Sequence, residues 1–532
     1  MNFIIDSGDD SDSEDGIIHG RTPIIVPETD SSDDEIPLDQ IRQKLLWSKE
    51  NIPKASGIFI EREGAKAEKF SDCLEPVHFF EQFFNEVLIS SIVRETNRYA
   101  RQQQTVFKPT TATEIKTFLG LNIAMGLKTL PSYRDYWSTN PILNDIYISE
   151  VMTVKRFSWL LSHIHFNNNE SQPKKEERNY DKLYKIRPYL DHLNYKYQEL
   201  YDPKECQAID ESMIMFKGRS SMKQYMPLKP IKRGYKVWVR ASDGGYVNQF
   251  QIYTGKDETR SAGGLGENVV ETLTQKLSGK EHKFYFDNFF SSVALGENMM
   301  KTKRNACGTI RSNRKGLPKF KEDKVLKRGD ADFFVRGDGL TAVKWMDKRS
   351  VTLLSNFHDT STTTVERKNK DGSKDTIPVP NMIKDYNKYM GAVDLADQLK
   401  SYYEISRKSK KFYMRIFFHF VDVTLVNSYL CWNELKEHMC LKTFRLRVVQ
   451  GMVTPSETPR RLKTSPKRQL GLGGPVERRS AQADHLPVHG KSRRCAQCST
   501  RELPHRSRLV SINIYLKFSL TYYFSPIENR NK

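Results

Sequence analysis

Apolar and polar positions divide the chain into stretches of different period. From Pro76, His78-Phe79-Phe80-Glu81-Gln82-Phe83-Phe84 leads into Val87, Leu88, Ile92 and Val93 at helical spacing. Thr111-Ala112-Thr113-Glu114 has the form of a capping box, and Ile115, Phe118, Leu119 and Ile123 continue on one helical face. The same spacing predicts helices over 152–167 and 183–200, so 76–200 reads as mostly helical. At Cys206 the period becomes that of a strand, and Gln207-Ala208-Ile209 runs directly into Asp210. Residues 236–240 alternate, Asp243-Gly244-Gly245 is a turn, and 246–253 alternates again, which predicts a β-hairpin. A helix over 268–277 comes next. Lys283-Phe284-Tyr285-Phe286 is a second apolar strand ending in an acid, Asp287. A helix from Ser291 or Ser292 to Met300 and a strand over 305–310 complete this region. Residues 314–380 are more polar, with strands at 344–345 and 351–355, and helical character returns from Met382 to about Gln450.

Both ends look different. Residues 1–40 hold twelve acids against one base, Arg21, a net charge of −11. The whole chain carries +20, which leaves +31 for the rest. Residues 1–70 therefore read as an acidic disordered tail, with Ser11-Asp12-Ser13-Glu14-Asp15 and Ser31-Ser32-Asp33-Asp34-Glu35 resembling substrates for an acid-directed serine kinase. After Thr454 the chain is rich in Pro, Ser, Gly and Arg, and 451–508 reads as unfolded. So basic a body suits a polyphosphate partner, because each neutralised phosphate releases condensed counterions. Seven scattered cysteines do not make a disulfide framework, and a reduced compartment is expected. No secretory signal opens the chain. The longest apolar stretch, 416–432, contains His419, Asp422 and Asn427 and reads as a buried helix, not a membrane span. Neither a membrane partner nor a small-molecule substrate is expected.

The order of elements is strand with acid, hairpin, helix, strand with acid, then a distant helix with acids. That is the order of an RNase H-like α/β fold, with Asp210 and Asp287 at the ends of neighbouring central strands. Asp394 and Asp397, three residues apart, share a helix face. Clustered carboxylates suit Mg²⁺ or Mn²⁺, hard ions that prefer oxygen. Two such ions would serve an in-line phosphoryl displacement. Any one of these acids read alone fits a cap, a turn or the surface equally well.

Longer motifs take the reading further. Asp210-Glu211-Ser212-Met213, Phe216-Lys217-Gly218-Arg219, Lys229-Pro230 and Gly234-Tyr235-Lys236 form one block. Tyr285-Phe286-Asp287-Asn288-Phe289-Phe290-Ser291 forms a second. Asp385-Tyr386-Asn387 with 390–398 (Met-Gly-Ala-Val-Asp-Leu-Ala-Asp-Gln) forms a third. Together they resemble the catalytic blocks of piggyBac transposases and their domesticated relatives, over roughly 76–450.

The resemblance implies a catalytic triad of Asp210, Asp287 and Asp394, with Asp397 as an auxiliary acid and two Mg²⁺ or Mn²⁺ ions. It implies cutting and joining of double-stranded DNA at TTAA sites, by a homodimer, in the nucleus. It also implies DNA contacts at Arg311 and Arg314. Phe412 stands where the family often has Trp, and either stacks on DNA or lies in the core. The family's plan implies a helical DNA-binding and dimerisation domain split between 71–204 and 404–453. The catalytic core would occupy 205–313 and 381–403, with a β-containing insertion domain at 314–380.

Residues 454–532 depart from the family, whose members usually end in a cysteine-rich zinc domain. Only Cys495-Ala496-Gln497-Cys498 remains, and no cysteine follows. His485, His489 and His505 are irregularly spaced candidates to complete a four-ligand Zn²⁺ site, so zinc is doubtful. Residues 511–532 look foreign to that domain, as read-through or an alternative exon would. Basic clusters at 460–468 and 491–494 suit nuclear import or phosphate binding. Two alternatives stand beside an active transposase: a domesticated DNA-binding protein without turnover, and an interaction protein acting through its acidic N-terminus.

Overall fold

The computed structural model describes residues 46–453 except 52, 53, 55, 56, 105, 228, 256–263 and 369–371, together with the backbone of 488–494 and 506–510. By contacts the chain forms two compact units, Met1–Pro459 and Arg460–Lys532.

Two short strands, β1 (Trp47–Ser48) and β2 (Gly64–Ala65), open the described chain. They fall inside the stretch expected to be a disordered tail, so the tail reading fails for 46–49 and 64–70. The physical reason is specific anchoring. The Trp47 indole N–H donates to the Gly316 carbonyl at 2.9 Å, Lys49 pairs with Asp332 at 2.5 Å, and Phe70 is buried. The more strongly acidic residues 1–45 lie outside the described chain.

Six α-helices follow: α1 (Pro76–Phe83), α2 (Glu86–Gln102), α3 (Ala112–Leu127), α4 (Ile146–Val151), α5 (Val154–His163) and α6 (Arg187–Glu199); all but α4 fall in stretches where the spacing predicts helix. Thr111 caps α3 by accepting the Glu114 N–H at 3.3 Å. The expected box is only half formed, because the Glu114 carboxylate is taken by Arg156 at 2.6 and 2.7 Å and by Thr110 at 2.7 Å.

The chain then enters a ten-stranded mixed sheet. After β3 (Tyr201–Asp202), which pairs with β2 outside that sheet, come β4 (Cys206–Met215), β5 (Gln224–Tyr225), β6 (Arg233–Ser242) and β7 (Tyr246–Ile252). Helix α7 (Leu265–Thr274), β8 (Lys283–Phe286), α8 (Val293–Lys301) and β9 (Asn305–Thr309) follow. The 314–380 segment supplies β10 (Ala331–Arg336), β11 (Thr341–Met346), β12 (Ser350–Ser355) and the separate hairpin β13 (Thr362–Lys368) with β14 (Lys374–Pro380). The sheet order is β1-β10-β11-β12-β9-β8-β4-β6-β5, with β7 also on β6. Only β4–β8 and β8–β9 are parallel. The first three strands of 314–380 are therefore not a separate sheet. They continue the central one, because β12 pairs antiparallel with β9.

Four helices complete the unit: α9 (Asn381–Tyr389), α10 (Ala392–Ser401), α11 (Phe412–Leu435) and α12 (Leu441–Met452). One sheet face, with Ile209, Trp238, Phe284 and Phe286, packs on Val269, Val270 and Leu273 of α7 and Leu295 and Met299 of α8. The other face joins a core that runs without a break through α9–α12 into α1–α6. Helix α11 is buried over most of its length, as the 416–432 pattern predicts. Its Asp422 is paired with Arg445 at 2.8 Å and accepts the Ile405 N–H at 2.8 Å. No described helix is long and apolar enough to cross a membrane.

In the second unit, β15 (Val488–Arg494) pairs antiparallel with β16 (Arg506–Val510). This corrects the unfolded reading for those two stretches. Cys495, Cys498, His485 and His505 lie outside the described residues, and His489 is placed only as a position on β15.

Candidate metal-binding active site

The parallel register of β4 and β8 sets the site. Ile209 lies opposite Phe286, so the next residues, Asp210 and Asp287, fall side by side. Strand alternation gives Asp210 the face of Ala208 and Asp287 the face of Tyr285. Both of those neighbours lie in the core covered by α9–α11. Helix α10 packs over β4 and carries Asp394 in its first turn and Asp397 one turn on. Asp394 is exposed, whereas Asp210, Asp287 and Asp397 are half-buried.

The surroundings oppose full ionisation. Burial, with the like charges of Asp287 and Asp394, pushes the Asp210 carboxyl up to about 7, against the pull of the Lys229 ammonium. Burial also raises Asp287, with Glu211 adding repulsion; Asp394, although part of its surface is exposed, is raised by partial desolvation of its carboxyl, with Asp397 adding to it. Glu211, the neighbour of Asp210 on β4, is ion-paired with Lys236. Among the described residues no three His, Cys, Asp or Glu side chains stand close enough to enclose an ion.

Asp287 is held by its turn. Its Oδ1 accepts the Phe289 N–H at 3.0 Å and its carbonyl accepts the Ser291 hydroxyl at 3.0 Å. Ser292 then caps α8 through the Leu295 N–H at 3.0 Å. Gly308 lets β9 approach this turn, since a Cβ there would lie 2.8 Å from the Phe286 carbonyl oxygen.

Arg311 and Arg314 are placed beside the turn, but both are engaged with protein. Arg314 Nη2 donates to the Asn288 carbonyl at 3.2 Å and to that of Phe289 at 3.5 Å. Arg311, which is exposed, donates from Nε to Asn288 Oδ1 at 3.3 Å. Phe412 opens α11, is half-buried against the core, and meets Tyr413 edge-on at 5.6 Å.

Several residues had no assigned role in the sequence. Lys229 is the cation whose charge bears on Asp210, Glu211, Asp287 and Asp394, and Tyr386 of α9 has its hydroxyl in the field of Asp287 and Asp210. Ser212 and Lys400 hold Asp397. Ser212 shares a strand face with Asp210 by the two-residue period, and Lys400 is three residues beyond Asp397, so spacing offered both.

With this geometry in place, the chain can be set beside known proteins. A family model described as Transposase IS4 matches residues 75–429, two-thirds of the chain. It is 28% identical over 555 residues to "PiggyBac transposable element-derived protein 3" of Homo sapiens, covering 98% of this chain and 89% of that protein. The chain belongs to the piggyBac transposase family. Human "PiggyBac transposable element-derived protein 2" is 27% identical over 478 residues, covering 87% of this chain and 78% of the relative. A solved piggyBac transposase, in a synaptic complex with hairpin DNA, superposes with a TM-score of 0.65 at 25% identity, over 74% of this chain and 83% of that one. The mixed α/β fold is thus that of a piggyBac transposase, and the chain is a transposase or a transposase-derived protein.

Proposed function

We propose that this piggyBac-family chain cuts and joins DNA at TTAA sites, using Asp210, Asp287 and Asp394 in an RNase H-like core to hold two Mg²⁺ or Mn²⁺ ions. The observation that carries the reading is the β4–β8 register, which sets Asp210 beside Asp287 on the sheet face that α10 covers. The donor set fits a hard divalent cation: oxygen ligands only, mutually repelling, one of them raised to about 7 by burial and by the neighbouring acids. The three side chains must draw closer to enclose an ion, a movement their repulsion opposes until a cation is present. What two bound ions supply is activation of the attacking water or 3′-hydroxyl and stabilisation of charge at the leaving oxygen.

The chain's own groups prepare that step. The Asp287 turn and the Arg314 grip fix one carboxylate, Lys229 offsets part of the surplus negative charge, and exposed Arg311 is available to a phosphate. In this reading 71–204 and 404–453 form a DNA-binding and dimerisation part around a core of 205–313 and 381–403, with 314–380 inserted. The protein works as a homodimer on DNA, and its basic clusters direct it to the nucleus. A second reading, a domesticated DNA-binding protein without turnover, is favoured by curated relatives named as element-derived.

The test is Mg²⁺-dependent nicking of a TTAA duplex by the full chain beside Asp210→Asn, Asp287→Asn and Asp394→Asn, with duplex affinity measured in parallel. Loss of nicking in all three variants at unchanged affinity is expected. Wild-type nicking by all three would sink the site assignment, and binding without nicking by the wild type would favour the second reading.

A further inference from the structure

Behind the three acids lies a polar cluster that the cleavage chemistry does not use. Ser212 Oγ donates to Asp397 Oδ1 at 2.8 Å, tying β4 to α10 one step along each element from Asp210 and Asp394. Lys400 Nζ donates to the same oxygen at 2.8 Å and lies 3.4 Å from His419 Nδ1 on α11. Lys400 is only 4% exposed. Ser212, Asp397 and His419 border a cavity of about 20 Å³, enough for about one water molecule.

We propose that Asp397 is a strut and not an ion ligand: with Ser212 and Lys400 it fixes α10 on β4, so that Asp394 is presented beside Asp210. The proposal rests on the reading of Asp210, Asp287 and Asp394 as the ion-holding set. One Asp397 oxygen already serves two donors, and its charge is met by a buried ammonium. A divalent ion held there would stand against that ammonium with little water between to screen it. The strut needs an acceptor at this point, and it needs charge only because Lys400 is charged. Removing both charges together therefore preserves it, whereas removing Lys400 alone leaves a carboxylate without its counter-ion.

The test is Mn²⁺ titration of the full-length protein by electron paramagnetic resonance, with melting midpoints measured on the same samples. Asp394→Asn removes a direct ligand and should weaken Mn²⁺ binding by at least about tenfold, no less than the loss of an outer-shell partner costs. The double variant Asp397→Asn/Lys400→Met, which keeps an acceptor for Ser212 and strands no charge, should stay within about threefold of wild type. Lys400→Met alone should lower the melting midpoint, and adding Asp397→Asn should restore most of it. The strut is overturned if the double variant melts like wild type yet binds Mn²⁺ as weakly as Asp394→Asn, or if the two melting shifts simply add. Should wild type bind no Mn²⁺, the ion-holding reading of the three acids falls, while the melting cycle still decides whether Asp397, Lys400 and Ser212 act as one unit.

Discussion

Replacing Asp210 by Asn should make the metal-free protein more stable at pH 8 while removing its function. The carboxyl is raised from 3.8 to about 7 by burial and by its like-charged neighbours. The folded state therefore holds a proton that the unfolded chain has released between those values. Stability contributed by this group is full below pH 4, falls as pH rises through the window, and is lost above about 7. Three pH units at 1.36 kcal/mol each put the ceiling near 4 kcal/mol. An Asn amide must find partners in the same setting, at a cost of about 1–2 kcal/mol. The net gain is then about 2 kcal/mol at pH 8 and close to nothing at pH 5, or about 2–5 °C in melting midpoint at the higher pH. The assay is thermal unfolding of both proteins in chelator at pH 5, 6.5 and 8. Saturating Mg²⁺ should then raise the wild-type midpoint and leave the variant unmoved. A wild type as stable as Asp210→Asn at pH 8, or a difference that ignores pH, would refute a charge-strained site.

Other consequences follow from the same geometry. Because Asp210 must lose its proton to bind an ion, Mn²⁺ affinity should rise by up to about tenfold per pH unit below 7 and level off above it; a flat profile from pH 6 to 8 would contradict this. Arg314→Met, which frees the Asn288 and Phe289 carbonyls, should cut nicking at least about tenfold while leaving duplex affinity within about threefold. Arg311→Ala should instead weaken duplex binding and reduce its salt dependence by about one phosphate contact. Asp422→Ala strands the buried Arg445 guanidinium and should cost about 3–5 kcal/mol by melting, most of it recovered in Asp422→Ala/Arg445→Met.

Much of this was legible in the chain. The hairpin around Asp243-Gly244-Gly245 and the strand 283–286 announced themselves through period-two alternation and turn chemistry, and their bounds are close to those observed. Asp210 and Asp287 stood out because each ends an apolar run. What the chain withheld were long-range pairings. Trp47 reads as one apolar residue near an acidic tail, and only the β10 edge far along the chain gives it a strand partner. Residues 314–380 read as a separate polar segment because nothing local shows that β12 will pair with β9. Glu114 matched a capping motif, yet Arg156, forty-two residues away, outbids the backbone for its carboxylate. Arg311 and Arg314 carried a charge signal that suits phosphate equally well as the carbonyls and amide they meet. The role of Lys229 depends on acids brought near by the fold, so it had no local signature, whereas Lys400 stood one helical turn from Asp397.

The most direct measurement is iron-mediated affinity cleavage of the full-length protein. Fe²⁺ takes the place of Mg²⁺ among oxygen ligands, and with ascorbate and peroxide it generates radicals that cut nearby backbone. If Asp210, Asp287 and Asp394 together hold the ion, fragments should end near the C-terminal half of β4, the turn after β8 and the first turn of α10, compete away with Mg²⁺, and vanish in Asp210→Asn. Cuts confined to other segments, or an unchanged pattern in that variant, would contradict the three-carboxylate site.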